Sequence, residues 1–110
     1  MKVLQWSITI PKQKQPEFIN YLEKVLGPTW KKFGCQKHEI YKVADKASVG
    51  KQKTERNRFI ERLYFNNDFD LKTFFASVRK DEEANRISRS YEEVFGATNI
   101  QLRILLETNA

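Results

Sequence analysis

The feature that most constrains this chain is the order of its periodic segments. Four segments alternate apolar and polar residues with the period of two that is typical of strands, over residues 3–10, 35–43, 58–65 and 100–106. Two longer stretches repeat apolar residues at helical spacing, one after the first strand and one after the third. This order, βαββαβ, is a twofold repeat of the split βαβ unit. It predicts one α+β, ferredoxin-like domain over residues 1–110, with both helices on one face of a four-stranded antiparallel sheet.

The helical stretches contain signals for where each helix begins and breaks. The first is expected to begin near Pro16 and to kink or divide at Gly27, because the following proline disfavours the α conformation of the residue before it. The second is expected to begin at Asp68 or Asp70, both favourable N-cap residues. Its charged run at residues 79–83 predicts a break between two helical pieces.

The faces of the predicted sheet indicate how the chain associates. With the strand order 4-1-3-2, one face should contact the helices, and the opposite face is mixed in polarity. The predicted helix-facing residues are Leu4, Trp6, Ile8, Phe59, Leu63, Phe65, Ile100, Leu102, Ile104 and Leu106; the opposite face carries Gln5, Ser7, Ile60, Arg62, Tyr64, Arg103 and Leu105. A monomer would expose an apolar patch there, so we expect a homodimer that packs these faces into a closed barrel. Arg62 and Arg103 are then expected to find partners across the interface.

Composition limits the cellular context and the partners. The net charge is +6 and the charges are spread along the chain, which is typical of a solvated basic surface. A single cysteine, Cys35, suits a reducing compartment. The chain has no apolar run of about 18 residues and no signal-peptide pattern at its first residues, so we expect a cytoplasmic protein without a membrane partner. The polar, basic stretch 44–57 is interpreted as a mobile loop.

Short motifs in the second and third strands carry a resemblance to a known family. The stretch GCQKHEIYK at residues 34–42 resembles the helix-end and second-strand signature of the antibiotic biosynthesis monooxygenase-like family. The triplet Glu61-Arg62-Leu63 is similar to that family's third-strand Glu-x-Trp, with leucine in place of tryptophan. The resemblance implies a homodimeric α+β barrel with a ligand cleft between helices and sheet. The family includes cofactor-independent oxygenases of aromatic substrates, haem-degrading enzymes and domains without an assigned activity.

The resemblance also indicates which chemistry is absent. Haem-degrading members rely on a third-strand tryptophan and a second-helix histidine. The corresponding positions here are Leu63 and either Phe74 or Phe75, so haem degradation is not expected. One histidine and one cysteine do not supply the usual ligand set of a zinc site, so no metal is expected. Cys35 follows a helix stop and gains no helix N-terminus to activate its thiol.

Two polar residues are the candidate catalytic groups. If the second strand keeps its alternation, His38 faces the helices together with Ile40, and Glu61 on the neighbouring strand faces them as well. His38 would act as a base on a phenolic substrate, with Glu61 holding the tautomer of its ring. A one-residue slip would send His38 to the other face. The predicted walls of the cleft are Trp6, Leu63, Phe74 and Tyr91. The alternatives are a surface histidine without a role, a Glu61 ion pair with lysine or arginine, and aromatics that only fill the core.

These observations lead to a hypothesis with two alternatives. The main hypothesis is a monooxygenase-like protein that acts on, or binds, a small aromatic or apolar compound without a bound cofactor. The first alternative is a non-catalytic, ligand-binding or structural barrel protein. The second is an RNA-recognition module, which shares the βαββαβ order. The third-strand motif of that module requires glycine between aromatics, whereas residues 58–65 read RFIERLYF, so nucleic acid is not the expected partner.

Overall fold

The computed structural model describes residues 1–44 and 56–108, so the predicted loop over 44–57 lies almost wholly outside the described residues. One antiparallel sheet has the order β2-β3-β1-β4, which confirms the predicted order. Its strands are β1 (Lys2–Thr9), β2 (Lys37–Lys42), β3 (Arg58–Phe65) and β4 (Thr98–Leu106). The predicted bounds of β3 are those observed, and the bounds of the other strands differ by at most two residues.

The first helical region follows a short 3-10 turn at Lys12–Lys14 and consists of α1 (Gln15–Tyr21) and α2 (Gly27–Lys31). A wide, π-type turn over Leu22–Leu26 joins them, and the backbone N–H of Gly27 donates to the carbonyl of Leu22. Gly27 stays in the right-handed helical region, at φ −56° and ψ −53°. The proline ring clashes with the Cβ of a preceding residue, and glycine has no Cβ. The expected interruption therefore takes the form of one wide turn inside a continuous helical path.

The second helical region divides where the charged run predicted. It consists of α3 (Leu71–Lys80) and α4 (Glu82–Glu93), with Asp81 between them in an extended conformation. The Asp70 side chain accepts a hydrogen bond from the backbone N–H of Lys72, and Asp81 accepts one from Ala84. Asp70, and not Asp68, is therefore the N-cap of α3. No helix among the described residues is long and apolar enough to cross a bilayer.

The core lies between the helices and one face of the sheet. Leu4, Ile8, Phe59, Leu63 and Phe65 are buried there, as the strand alternation predicted. The apolar residues of β4 share that side of the sheet, since Leu102 is paired with Trp6 and Ile104 with Leu4. They are more exposed than the core residues of β1 and β3, however, because β4 is at the edge of the sheet. Ile100, Leu102, Ile104 and Leu106 are 41–66% exposed.

The opposite, outer face of the sheet combines polar contacts with an apolar margin. The hydroxyls of Tyr41 and Tyr64 both donate to the carboxylate of Glu39. Arg62 donates from Nε to the side-chain oxygen of Gln5 at 2.9 Å, and its guanidinium lies 5.7 Å from the Tyr41 ring centre. Arg62 thus has partners within its own chain. The apolar margin, a shallow groove at the edge of the face, is lined by Met1, Val3, Tyr64, Leu105, Leu106 and Glu107.

Candidate ligand cavity and its buried carboxylate

A cavity of about 170 Å³ lies between the helices and the sheet, next to the edge strand. Its walls combine aromatic and aliphatic side chains with a few polar groups. The residues that line it are Trp6 and Ile8 of β1, Trp30 of α2, Glu61 of β3, Ser88, Tyr91 and Glu92 of α4, and Ile100 of β4. A small, mostly apolar pocket with a few convergent polar groups is the usual form of a ligand site.

Glu61 is the polar centre of this cavity. It lies in the middle of β3 directly opposite Trp6 of β1, and it is 1% exposed. The Tyr91 hydroxyl donates to its carboxylate, at 2.8 Å from Oε1 and 3.0 Å from Oε2. The Nε2 atom of His38 lies 2.6 Å from Oε2. Burial of a carboxylate is costly unless it is hydrogen-bonded, and these two contacts meet that requirement.

His38 lies behind Glu61 rather than in the cavity wall. It is paired with Leu63 across β2 and β3, and its side chain is 10% exposed. Its ring lies against Gly27, where a Cβ would come within 3.1 Å of Nδ1. His38 therefore faces the helices, as the unslipped register requires. The hydrogen bond to Glu61 places a proton on Nε2 whenever the carboxylate is ionised.

Tyr91 and Trp30 extend the hydrogen bonds of Glu61 across the cavity. The indole Nε1 of Trp30 lies 3.4 Å from the Tyr91 hydroxyl oxygen and donates to it. Removal from water, followed by the negative charge of Glu61, raises the pKa of Tyr91 well above its usual value. Tyr91 thus remains a protonated donor to Glu61 throughout the neutral range.

The structure brings some of the predicted site residues together and leaves others in the core. His38, Glu61 and Tyr91 form one hydrogen-bonded group, and Trp6 lines the cavity beside them. Leu63 is fully buried and is not among the lining residues. Phe74 is also outside the cavity, because its ring packs behind Trp30 at 5.9 Å between ring centres. In the described part of the chain, Glu61 is paired with His38 and Tyr91 and not with lysine or arginine.

Several lining residues were not singled out from the sequence. Two of them, Ser88 and Glu92, lie three positions before and one position after the predicted Tyr91, a spacing of i, i+3 and i+4 that places the three side chains on one face of α4. The polar residues on this helix face are the sequence signal that could have identified these lining residues. Trp30 belonged to an apolar helical stripe, and nothing local distinguished it from a core residue.

The single cysteine lies in the core of the fold. Cys35 is buried, and its Sγ donates to the carbonyl of Lys37 at 3.1 Å. Burial raises the pKa of the Cys35 thiol, which disfavours the reactive thiolate. Within residues 1–44 and 56–108, no three His, Cys, Asp or Glu side chains are grouped as metal ligands.

Comparison with solved structures supports the ferredoxin-like fold and its resemblance to monooxygenase-like structures. HapK from Hahella chejuensis superposes with a TM-score of 0.71 at 9% identity, covering 100% of this chain and 95% of that one. A candidate antibiotic biosynthesis monooxygenase from Deinococcus radiodurans gives a TM-score of 0.65 at 8% identity, with the same coverage of 100% and 95%. A dimeric ferredoxin-like protein from an uncultured marine organism gives 0.62 at 17% identity, covering 99% of this chain and 95% of that one. No protein-family model and no curated protein sequence matches the chain.

These similarities define the class of protein at the level of the fold. The chain has the ferredoxin-like α+β fold that it shares with a monooxygenase-like structure, in agreement with the motifs at residues 34–42 and 61–63. At such low identities, the likeness concerns the path of the backbone.

Proposed function

We propose that this protein binds a single-ring aromatic or apolar compound in the cavity and acts on it as a cofactor-independent, monooxygenase-like protein. The observation that carries this proposal is the position of Glu61, which is a buried carboxylate in the wall of an aromatic cavity. The size of the cavity supports one ring as the ligand. Its volume, about 170 Å³, is close to that of a cavity of about 150 Å³ known to bind benzene.

The roles of the two polar residues follow from which of them faces the cavity. We assign the proton-accepting role to Glu61, because Glu61 lines the cavity and His38 does not. His38 holds the carboxylate in place through its Nε2 proton. A proton on a ligand hydroxyl would pass to the free lone pairs of Glu61. The ionised ring would then react with dioxygen as co-substrate, so that a ring carbon gains one oxygen atom as a carbonyl and the other oxygen leaves as water.

A second candidate function is binding without catalysis. His38 and Tyr91 both use Glu61 as a hydrogen-bond acceptor, and this arrangement serves equally well to anchor a ligand that donates a hydrogen bond. No proton need leave the ligand in that case. The two candidates share the cavity and differ only in whether dioxygen is consumed.

Both tryptophans of the chain, Trp6 and Trp30, line the cavity, so intrinsic fluorescence reports directly on its occupancy. Titration with phenol should change the emission in a saturable manner, and an oxygen electrode should register uptake of dioxygen. The variant Glu61→Gln should abolish uptake, whereas Glu17→Gln, on the exposed face of α1, should retain it. Saturable binding without uptake would establish the binding-only candidate. No change in emission with any single-ring compound would refute both.

We also propose that the protein works as a homodimer through the outer faces of its sheets. The exposed Leu105 of the outer face lines the shallow groove with Met1 and Val3, and one structure with this fold is described as dimeric. Because Arg62 is bonded to Gln5, Arg103 is the better probe of a partner carboxylate across the interface. Sedimentation at micromolar concentration should give twice 13.1 kDa, and Arg103→Glu should weaken the dimer. A species of 13.1 kDa alone would contradict the proposal.

We also propose that the protein is cytoplasmic. Cys35 is a free, buried thiol, which suits a reducing compartment. Cell fractionation with an antibody against the chain would test it, and recovery in a secreted fraction would contradict it.

A further inference from the structure

Most of the side-chain hydrogen-bond donors that line the cavity are already in use. The Trp30 indole donates to Tyr91, and the Tyr91 hydroxyl donates to Glu61. The Ser88 hydroxyl donates to the carbonyl of Asn85 at 2.9 Å, whereas no hydrogen bond is described for the indole N–H of Trp6. A ligand that offers only acceptor atoms can therefore meet only one such donor, the indole N–H of Trp6, among the described side chains that line the cavity.

The hydrogen-bond acceptors of the cavity are not exhausted. A carboxylate offers about four lone-pair directions, and His38 and Tyr91 occupy only part of those on Glu61. A second carboxylate, that of Glu92, lies exposed among the lining residues on the same face of α4. The oxygen of Ser88 can also accept. A ligand with N–H or O–H groups can therefore be satisfied from several directions.

The charge of the cavity is opposite to that of the chain. The chain carries a net charge of +6, yet the lining residues within the described ranges include two carboxylates and neither lysine nor arginine. Behind the wall, His38 lies against Glu61 and would offset the charge of that carboxylate when protonated, but it would leave the charge of Glu92. Burial in a medium of low polarity strengthens the effect of the Glu61 charge, whereas the charge of the exposed Glu92 acts through water.

The aromatic walls of the cavity also favour a cationic ligand over an anionic one. Trp6, Trp30 and Tyr91 all border the cavity. The face of an aromatic ring attracts a cation, most strongly for tryptophan, and the attraction increases when the cation is removed from water. It offers no comparable stabilisation to a carboxylate.

We propose that the cavity is specific for single-ring compounds that carry an ammonium or another hydrogen-bond donor, and that it rejects ring carboxylates. This inference rests on the proposed function, because it concerns the same cavity, and it names the chemical class of the ligand. The ring occupies the aromatic space between the two tryptophans. The donor group faces Glu61, with Glu92 contributing its charge.

The test uses three probes that share one ring and one carbon substituent: benzylamine, benzyl alcohol and benzoate. Near pH 7 they present an ammonium, a neutral donor and a carboxylate. Each is titrated into the full chain, and the Trp6 and Trp30 fluorescence is followed. We expect benzylamine to bind at least about tenfold more tightly than benzoate, with benzyl alcohol between them.

Two variants at neighbouring positions distinguish the effect of the cavity carboxylate from the effect of the overall charge of the protein. Glu92→Gln should reduce the preference for benzylamine over benzoate by about threefold. Glu93→Gln is the matched control, because Glu93 is exposed on α4, faces Arg89 and is not among the lining residues. It should leave the preference unchanged.

The outcomes distinguish this inference from the function on which it rests. Binding of all three probes with benzoate equal to or tighter than benzylamine would overturn the inference and leave the ring-binding function standing. Equal effects of Glu92→Gln and Glu93→Gln would overturn the role of the cavity carboxylate. If none of the probes nor phenol changed the fluorescence, the proposed function itself would fail.

Discussion

The Nε2 atom of His38 lies 2.6 Å from Oε2 of Glu61, although the two residues are on different strands and 23 positions apart. The contact exists because β2 and β3 pair with Leu63 opposite His38. In this register the side chains of His38 and Glu61 both lie on the helix side of the sheet. His38 then fills the space beside Gly27, where α2 has no side chain. The carboxylate, the imidazole and the glycine therefore form one packed unit behind the cavity.

Replacement of Gly27 by alanine should disturb this unit. A Cβ at position 27 would lie 3.1 Å from Nδ1 of His38, and alanine before a proline is itself disfavoured in a helix. We expect Gly27→Ala to lower the free energy of unfolding by about 1–3 kcal/mol. Urea denaturation followed by circular dichroism measures this change.

A double-mutant cycle separates the two causes, because the proline penalty is present whether or not His38 is there. In a His38→Ala background, Gly27→Ala should cost at least about 0.5 kcal/mol less than in the native background. An identical cost in the two backgrounds would show that His38 does not require the glycine.

The Tyr91 hydroxyl should contribute to stability as well as to the site. Tyr91→Phe removes the hydrogen bond to Glu61 and deprives Trp30 Nε1 of its acceptor. We expect a loss of about 1–3 kcal/mol in the free energy of unfolding, because one of the lost bonds is to a buried carboxylate. Tyr21→Phe is the control, since the Tyr21 ring is half-buried against Phe95, 5.2 Å away between centres, without a described bond to Glu61. Similar losses in the two variants would argue against the role of the hydroxyl.

Alkaline pH should destabilise the fold through the same residue. Burial and the charge of Glu61 raise the pKa of Tyr91 in the folded state, so the folded chain retains this proton after the unfolded chain has lost it. The stabilisation is complete below the ordinary tyrosine pKa of about 10 and is lost as the pH rises through the folded-state value. Stability measured from pH 8 upward should therefore fall less steeply in Tyr91→Phe than in the native chain. Parallel curves would contradict the assignment.

Cys35 should be almost inert in the folded protein. Burial raises the pKa of its thiol, and only the thiolate reacts. Near pH 8, a thiol reagent should modify Cys35 at least about tenfold more slowly in the folded chain than in denaturant. Leu63→Ala, a substitution in the core that costs about 2–5 kcal/mol, should accelerate the reaction by promoting opening of the fold. Equal rates in folded and denatured chains would show that the thiol is accessible.

Local patterns in the sequence determined the elements and their order. Residues 58–65 alternate so regularly that the observed bounds of β3 are the predicted ones, and Asp70 begins α3 as an N-cap should. The charged run at 79–83 divided the second helical region at Asp81, whose side chain caps α4. These features depend on neighbours within a few residues, so a single sequence contains the information that decides them. The strand order followed from the βαββαβ pattern, and the folds of HapK and the other structures agree with it.

Tertiary structure decided which residues meet at the cavity. The face of His38 depended on a strand register that Gly27 and Leu63 complete from other parts of the chain. Leu63 and Phe74 fit a cleft wall by their positions, yet packing placed both in the core, while Trp30 and Glu92 came to the cavity from helices far apart in sequence. Alternation states the side of a sheet on which a residue lies, but not what covers it. For that physical reason the sequence predicted Glu61 and His38 as partners, whereas only the folded chain decided that Glu61 lines the cavity and His38 lies behind it.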